Sequence, residues 1–354
     1  MVLIFCLLLI FGIVTGQIFD LSINREALGM ITSICLAYIM MEVGLEFSVE
    51  KRSLRSYGWD AMVASVAAVL PALMWFVYFL VVIQSSWKPA LLSGLSSAPT
   101  SAGVLFSMLM AAGLGATWVF QKARTLAVLD DLVTILLLIP LQVIIVGFKW
   151  ETISVLVFIL CFLFASFRFQ NKLHWPTGNV WLLFYSVVLT AILGLLKHTV
   201  HIHLEVLLPA FMTGCLLYLK KGHTSSEEKE GLWSLDMMIK GSFMFLVGAA
   251  FPKVNIGSLP LNVTMGHVVA LTILSNLGKC FTVLCYRKEA SFKERLALGF
   301  AMFPRGEVGA AVLLIGLGYG FGGYVNTLAM LSLALNLVLT GVFVWVLIRL
   351  LKRV

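Results

Sequence analysis

Two adjacent aspartates lie inside a long apolar stretch of this sequence. Asp130 and Asp131 occupy the middle of ARTLAVLDDLVTILLLIP. An ionised side chain at the depth of a lipid bilayer is costly and is a functional-site hypothesis by default. Adjacent helical residues point about 100° apart, so the two carboxylates face different neighbours. One can therefore be held in an ion pair while the other faces a water-filled path, which predicts a role in binding a cation or a proton.

A lysine lies inside a second apolar stretch, VVALTILSNLGKCFTVLC. Lys279 shares one helical face with Thr272, with Ser275 or Asn276, and with Thr282. Because lipid cannot satisfy these groups, the face is predicted to point into the bundle. Two roles for Lys279 are compatible with this placement: it neutralises an aspartate, or its ammonium group also releases a proton during a transport cycle.

The charges within apolar segments do not balance. A third segment, ALGFAMFPRGEVGAAVLLIGLG, adds Arg305 and Glu307, which makes three acidic and two basic groups. If Asp130 pairs with Lys279 and Glu307 pairs with Arg305, the excess negative charge belongs to Asp131. A buried carboxylate in excess must take up a proton or a cation. An exchanger of cations for protons requires at least one such carboxylate.

Two apolar segments are interrupted by helix-breaking residues. The first, GLSSAPTSAGV, has Pro99 followed by Thr100 and Ser101, whose hydroxyl groups can satisfy freed backbone groups or bind an ion. The second, FPRGEVG, is broken by Pro304 and Gly306. Interrupted spans at corresponding positions of two halves indicate the binding site of a transporter, and here they also suggest an inverted repeat.

The composition requires that most of the chain be embedded in lipid. Of 354 residues, 60% are hydrophobic and 12% are charged, whereas soluble domains carry about 25% charged residues. The composition therefore argues against a soluble enzyme and predicts a polytopic all-α membrane protein. The six cysteines form no CxxC pair and the six histidines form no metal-ligand cluster, so neither disulfides nor a structural metal is expected.

Apolar segments of spanning length recur about twelve times. The predicted spans are approximately 1–19, 27–47, 59–83, 89–113, 123–147, 152–167, 178–197, 203–219, 232–251, 265–286, 294–319 and 323–348. We interpret residues 1–151 as a first repeat of spans one to five, 152–176 as a linker helix (span six), and 177–354 as a second repeat of spans seven to twelve. No soluble domain is predicted, and the first apolar segment is interpreted as a retained span.

Positive charge alternates from loop to loop. The loops after even-numbered spans, with the C-terminus, hold 17 Lys and Arg residues, and the loops after odd-numbered spans hold 5. Cytoplasmic loops are the positively charged ones. The asymmetry predicts a multi-pass protein of the cell inner membrane with both termini in the cytoplasm. It also explains the net charge of +8 without nucleic acid as a partner.

Taken together, these segments resemble the membrane domain of the monovalent cation:proton antiporter superfamily, which includes the bacterial sodium/proton exchangers. The stretches that carry the resemblance are MMEVGLEFSV, APTSAGV, AVLDDL, LPAFMTGCLL, FMFLVGAAFP, LGKCF and FPRGEVG, in the order of the family. They cover nearly the whole chain. The aspartate pair with a lysine in span ten is the specific part of the match. The fold implied is an inverted-repeat transporter with two broken helices that cross.

The resemblance assigns roles to particular residues. Asp131 would be the main carboxylate that binds the cation and the proton, and Asp130 would pair with Lys279 when the cation is absent. Thr100 and Ser101, in the unwound part of span four, would lie near the ion. The residues that interrupt the two helices, Pro99, Pro304 and Gly306, would shape this site. The transported species would be Na⁺ or Li⁺ and H⁺, with no cofactor.

The same resemblance bears on coupling and assembly. Arg305 and Glu307 match the family's RGE motif and would be supporting charges, and an aspartate pair resembles the electrogenic members. Many members have thirteen spans, with an extra N-terminal helix at a homodimer contact. This chain begins within what resembles their second helix, so either this member has twelve spans or its N-terminus is incomplete and the first repeat lacks one helix. The homodimer interface stays open.

Two other functions compete with sodium/proton exchange. A potassium/proton antiporter of the same fold would use the same oxygen ligands, although the members that resemble glutathione-gated potassium systems usually lack the double aspartate. A membrane sensor without transport would bind cations and produce no flux. An intramembrane aspartyl protease is excluded, because adjacent aspartates on one helix cannot converge on a peptide bond. The sequence therefore predicts a secondary transporter and not an enzyme.

Overall fold

The computed structural model describes residues 2–18, 25–46, 54–101, 109, 114–146, 176, 178–200, 206–221, 235–249, 261–321 and 323–351. Within these ranges all regular secondary structure is helical, as the predicted fold class requires. The helices are α1 Val2–Ile18, α2 Arg25–Glu46, α3 Leu54–Val81, α4 Trp87–Leu95, α5 Trp118–Val146, α6 Asn179–Val200, α7 Leu207–Lys221, α8 Leu235–Ala249, α9 Leu261–Lys279, α10 Phe281–Leu284, α11 Phe292–Ala301, α12 Glu307–Gly318 and α13 Tyr324–Leu351.

Among the described residues, five helices are long and apolar enough to cross a membrane. They cover Ala27–Leu45, Gly58–Val81, Trp118–Ile145, Asn262–Leu284 and Tyr324–Leu351. Shorter apolar helices cover Leu7–Ile18, Asn179–Leu195 and Val308–Gly318. The predicted linker span, 152–167, lies outside the described residues, as does most of 102–113. The count of twelve spans therefore stays a prediction.

The chain forms two compact units, and the first contains Met1–Asp20, Arg52–Leu138 and Val247–Val354. In it α3 packs against α4 and α9, and α13 packs against α1, α4, α9, α11 and α12. Trp75, which is fully buried in this unit, satisfies its indole N–H by donating to the carbonyl oxygen of Leu271 at 2.7 Å. This bond joins α3 to α9, the helix whose last residue is Lys279.

The second unit contains Leu21–Lys51 and Ile139–Leu246. Here α2 packs against α6 and α7. The crossing of α2 and α7 requires glycine, because a Cβ atom on Gly44 or Gly214 would overlap the backbone of the other helix. Small residues permit such close approach of membrane helices. In the same unit Lys240 lies 2.7 Å from Glu42 and 3.0 Å from Asp236, one helical turn before it.

Helix interruptions occur at the two predicted places. Helix α4 ends at Leu95, four residues before Pro99, and α11 ends at Ala301, three residues before Pro304. Pro removes a backbone donor and clashes with the preceding turn, which favours an interruption, although α3 and α5 continue through Pro71 and Pro140. Helix α12 then begins at Glu307. The division of the chain into repeats at 1–151, 152–176 and 177–354 stays a prediction, because each compact unit takes segments from both proposed repeats.

Candidate ion-binding site

Helix α5 carries both aspartates into the interior of the first unit. The helix runs from Trp118 to Val146 with Asp130 and Asp131 near its middle, and their exposed fractions are 0% and 1%. Apolar side chains surround them on the helix, including the buried Ala127 and Val128. Two carboxylates that are excluded from solvent need partners that offset the loss of hydration.

Lys279 supplies a partner for the first aspartate. Its Nζ atom donates a hydrogen bond to Asp130 Oδ2 at 2.5 Å, and both side chains are completely buried. Lys279 is the last residue of α9, where the helix dipole favours a positive charge. Oδ1 of Asp130 is buried and has no hydrogen-bond donor among the described residues. The carboxylate therefore keeps one acceptor atom for a further proton or cation.

Thr100 connects the first helix interruption to the aspartates. Its Oγ1 atom lies 2.8 Å from Asp130 Oδ2 and 3.3 Å from the carbonyl oxygen of Met302. A hydroxyl group has one proton to donate. The Asp130 carboxylate is both the closer and the charged acceptor, so the hydroxyl group donates its proton to Asp130. Thr100, in the interruption after α4, thus contacts both Asp130 and Met302, and Met302 lies in the interruption after α11.

The two interruptions are in direct contact with one another. The backbone N–H of Ser101 donates to the carbonyl oxygen of Pro304 at 2.9 Å. A Cβ atom on Gly306 would lie 2.6 Å from the Ser101 hydroxyl oxygen and 2.8 Å from its Cβ. Only glycine permits this approach. Pro99 lies at the same contact, because a Cβ atom on Gly309 would be 3.6 Å from its ring.

Arg305 is held by backbone carbonyl groups. Its Nη1 atom donates to Met302 at 2.9 Å and its Nη2 atom donates to Ser275 at 3.1 Å, and its exposed fraction is 1%. Its Nε atom is buried with no acceptor among the described residues. The backbone of Glu307 begins α12, but its side chain lies outside what the structure describes. The predicted pairing of Arg305 with Glu307 therefore stays a prediction.

The site contains groups that the sequence does not reveal. The carbonyl oxygens of Met302 and Ser275 hold Arg305, and that of Met302 also faces Thr100. A backbone acceptor has no signature in residue type. The sequence contains one signal for such an acceptor, the proline at position 304. An interrupted helix leaves the carbonyl groups of its last turn without intrahelical donors.

This geometry defines a class of protein. A buried carboxylate pair, a lysine on one of its members and two interrupted helices in contact inside an apolar bundle form a membrane transporter and not an enzyme. The chain belongs to the transmembrane sodium/hydrogen exchanger family, whose match covers residues 2–352. It is a multi-pass membrane protein of the monovalent cation:proton antiporter superfamily, and cation/proton antiport is the activity of that family.

A solved structure supports the fold assignment. The sodium proton antiporter MjNhaP1 from Methanocaldococcus jannaschii, determined at pH 8, aligns with a TM-score of 0.65 at 14% sequence identity. The alignment covers 97% of this chain and 92% of that one. The chain therefore has the fold of this antiporter. No curated protein matches the sequence significantly.

Proposed function

We propose that the protein exchanges Na⁺ or Li⁺ for H⁺ across the cell inner membrane and that the exchange is electrogenic. The observation that carries the proposal is the Asp130–Lys279 ion pair next to Asp131, at the contact between two helix interruptions. A buried pair of this kind is costly to a protein that does not use it. Its placement at interrupted helices is the arrangement expected of an ion pathway.

The cation would bind among oxygen atoms. Hard cations prefer carboxylate, hydroxyl and carbonyl oxygens, and all three kinds are present. Asp131 would supply the principal carboxylate, Thr100 and Ser101 lie at the first interruption, and interrupted helices leave carbonyl groups for coordination. The exchange follows from competition, since a carboxylate that holds a proton cannot also hold the cation at the same oxygen.

Lys279 would make the exchange electrogenic. In the absence of a cation its ammonium group neutralises Asp130. When Na⁺ arrives, its positive charge competes with the ammonium group for the same carboxylates, and the pair breaks. A lysine that loses its partner in a buried site favours the neutral form, so a second proton would leave for each cation that binds.

The remaining charges would support the site. Arg305 fixes the second interruption through the carbonyl groups of Met302 and Ser275, and Glu307 would balance its charge. We propose that the helices that carry these residues move together during alternating access, so that the site opens to one side of the membrane at a time. Both termini would be cytoplasmic, and the protein would assemble as a homodimer.

Transport in proteoliposomes tests the proposal. Vesicles that contain the purified protein and a fluorescent pH indicator are expected to show proton movement when Na⁺ or Li⁺ is added, and no movement with choline. A response to K⁺ of equal size would favour potassium/proton exchange, the second candidate, because K⁺ also binds oxygen ligands. No flux with any of these ions would contradict antiport and would favour a sensor.

Electrogenicity has its own test. We expect Lys279→Gln to retain sodium-driven proton movement and to lose its response to an imposed membrane potential. The matched control is Lys240→Gln, which removes a lysine that also contacts carboxylates, Glu42 and Asp236, and should keep the response. If voltage dependence survives in Lys279→Gln, Lys279 has only a structural role and carries no proton.

A further inference from the structure

A second group of ionic contacts lies in the first unit, apart from the ion-binding site. Asp60 on α3 accepts hydrogen bonds from Lys122 Nζ at 3.1 and 3.2 Å and from the Tyr286 hydroxyl group at 2.6 Å. Lys122 also lies 3.3 Å from Glu289. These four residues, Asp60, Lys122, Tyr286 and Glu289, are called the terminal network below.

The centre of the terminal network is buried, and Glu289 lies at its exposed edge. The exposed fractions of Asp60 and Tyr286 are 5% and 4%. Lys122 Nζ lies 4.6 Å from the centre of the Tyr286 ring, a cation–π contact, and the ring of Trp118 packs edge-on against that of Tyr286 at 5.8 Å. Asp60 alone receives three hydrogen bonds, so this carboxylate is satisfied as a buried charge must be.

Tyr286 has an unusual backbone conformation. Its φ angle is +59°, a left-handed value that residues other than glycine adopt only at an energetic cost. Such a residue persists where its surroundings hold it. Here the hydrogen bond from its hydroxyl group to Asp60 and the contacts of its ring with Lys122 and Trp118 stabilise this conformation. The turn that joins α10 to α11 is thereby fixed against α3 and α5.

Position along the chain connects this turn to the ion-binding site. Lys122 and Asp130 are eight residues apart on α5, about 12 Å along the helix. Lys279 and Tyr286 are seven residues apart on the segment that runs from the last residue of α9 through α10. The two segments thus touch at two places, Asp130 with Lys279 and Lys122 with Tyr286.

We propose that the terminal network positions Lys279 on Asp130 and so sets the affinity of the site for its cation. The inference rests on the proposed function, in which the cation must displace Lys279 from Asp130. Asp60, Lys122 and Tyr286 are positioning residues, because they act through the segment that carries Lys279. When the network is weakened, Lys279 holds Asp130 less firmly and the cation competes more easily.

The test measures cation affinity in proteoliposomes with Tyr286→Phe, which keeps the ring and removes the hydroxyl bond to Asp60. We expect the KM for Na⁺ to fall at least about threefold. This change is smaller than the full effect of losing one hydrogen bond to a charged group, because the network acts on Lys279 indirectly. The pH at which activity is half-maximal should move to a more acid value, since protons must then compete with a more tightly bound cation. Damage to the fold would instead lower the maximal rate or raise KM.

A matched control and a second variant complete the test. Tyr78→Phe also removes a tyrosine hydroxyl from the first unit, where it contacts His267 Nδ1 at 2.7 Å, and should leave KM unchanged. Asp60→Asn removes the charge at the centre of the terminal network and should act in the same direction as Tyr286→Phe. It decides the question if Tyr286→Phe does not fold.

The outcomes separate this inference from the proposed function. A wild-type protein that shows no cation-driven flux overturns the function. If the wild type transports, an unchanged or raised KM in a folded Tyr286→Phe or Asp60→Asn protein overturns the role of the terminal network. A lower KM in those variants together with an unchanged KM in Tyr78→Phe supports it.

Discussion

At the scale of the residue, Thr100 is the side chain that joins both helix interruptions to Asp130. Its hydroxyl group lies 2.8 Å from the carboxylate, and its oxygen is a proposed ligand of the cation. Asp130 thereby receives a hydroxyl group and an ammonium group on the same oxygen atom. The affinity of the site should therefore depend on this one hydroxyl group.

Thr100→Val tests that dependence, because valine keeps the shape and removes the oxygen. We expect the KM for Na⁺ to rise about tenfold, because the cation loses one oxygen ligand and a tenfold loss of affinity corresponds to about 1.4 kcal/mol. The measurement is sodium-driven proton flux over a range of Na⁺ concentrations. Thr134→Val is the control. That hydroxyl group is equally buried but donates to the backbone of Asp130, so its loss should change KM little.

Sequence reasoning reaches the charged members of the site and misses their backbone partners. Asp130, Asp131 and Lys279 stand out because a charge within an apolar segment demands a reason. The carbonyl oxygens that bind Arg305 cannot be found in this way, because every residue has one. Asp60 was also missed as a buried group: at position 60 it lies at the predicted edge of a span, where a carboxylate is ordinarily hydrated.

At the scale of the element, the contact between the two interruptions depends on a glycine. A Cβ atom on Gly306 would come within 2.6–2.8 Å of the Ser101 side chain. Ser101 is also bound through its backbone to Pro304. A substituent at position 306 would therefore separate the two interruptions and displace Thr100 from Asp130.

Gly306→Ala is expected to reduce transport more than tenfold while the protein remains folded, because the bundle does not depend on this contact and the site does. Purified variants would be compared by flux and by thermal unfolding. Gly318→Ala, at the other end of α12, adds a Cβ atom where nothing lies within 4 Å and should leave transport unchanged. Equal activity in both variants would show that the approach of the interruptions is not required.

The elements were predictable where proline and composition dictate them. Pro99 and Pro304 lie at both predicted interruptions, but Pro71 and Pro140 lie inside continuous helices, so the neighbouring glycine, serine and threonine residues were also needed to predict the breaks. The predicted span 265–286 agrees with the apolar span Asn262–Leu284, but the sequence does not reveal the turn at Cys280 that divides it into α9 and α10. No proline or glycine follows Lys279 there, and the left-handed conformation of Tyr286 is held by Asp60 and Lys122, which are distant in the sequence.

At the scale of the whole molecule, cation binding should stabilise the folded protein. A ligand that binds only the native state adds about 2.7 kcal/mol to the free energy of unfolding at 100 times its Kd. We expect the melting temperature to rise with Na⁺ or Li⁺ at alkaline pH and to be unchanged by choline. The effect should diminish at acid pH, where protons occupy the carboxylates. Stabilisation by choline would mean a general effect of salt.

The fold class follows from composition, because a chain with 12% charged residues cannot cover itself with a polar surface. The two compact units could not be predicted from the same data. Their boundaries, near positions 20, 51, 138 and 246, fall partly within the helices α5 and α8. Such boundaries depend on which helices pack together, and apolar segments of similar composition do not specify their neighbours.

The central claim is that Asp131 carries the transported cation and proton, and Asp131→Asn tests it most directly. Asparagine keeps the shape of the side chain and can neither ionise nor hold a proton for exchange. Asp236→Asn, in the second unit, is the matched control and should transport like the wild type. We predict that folded Asp131→Asn protein in proteoliposomes shows no Na⁺-driven proton flux above that of empty vesicles. Retained sodium transport in this variant would contradict the account.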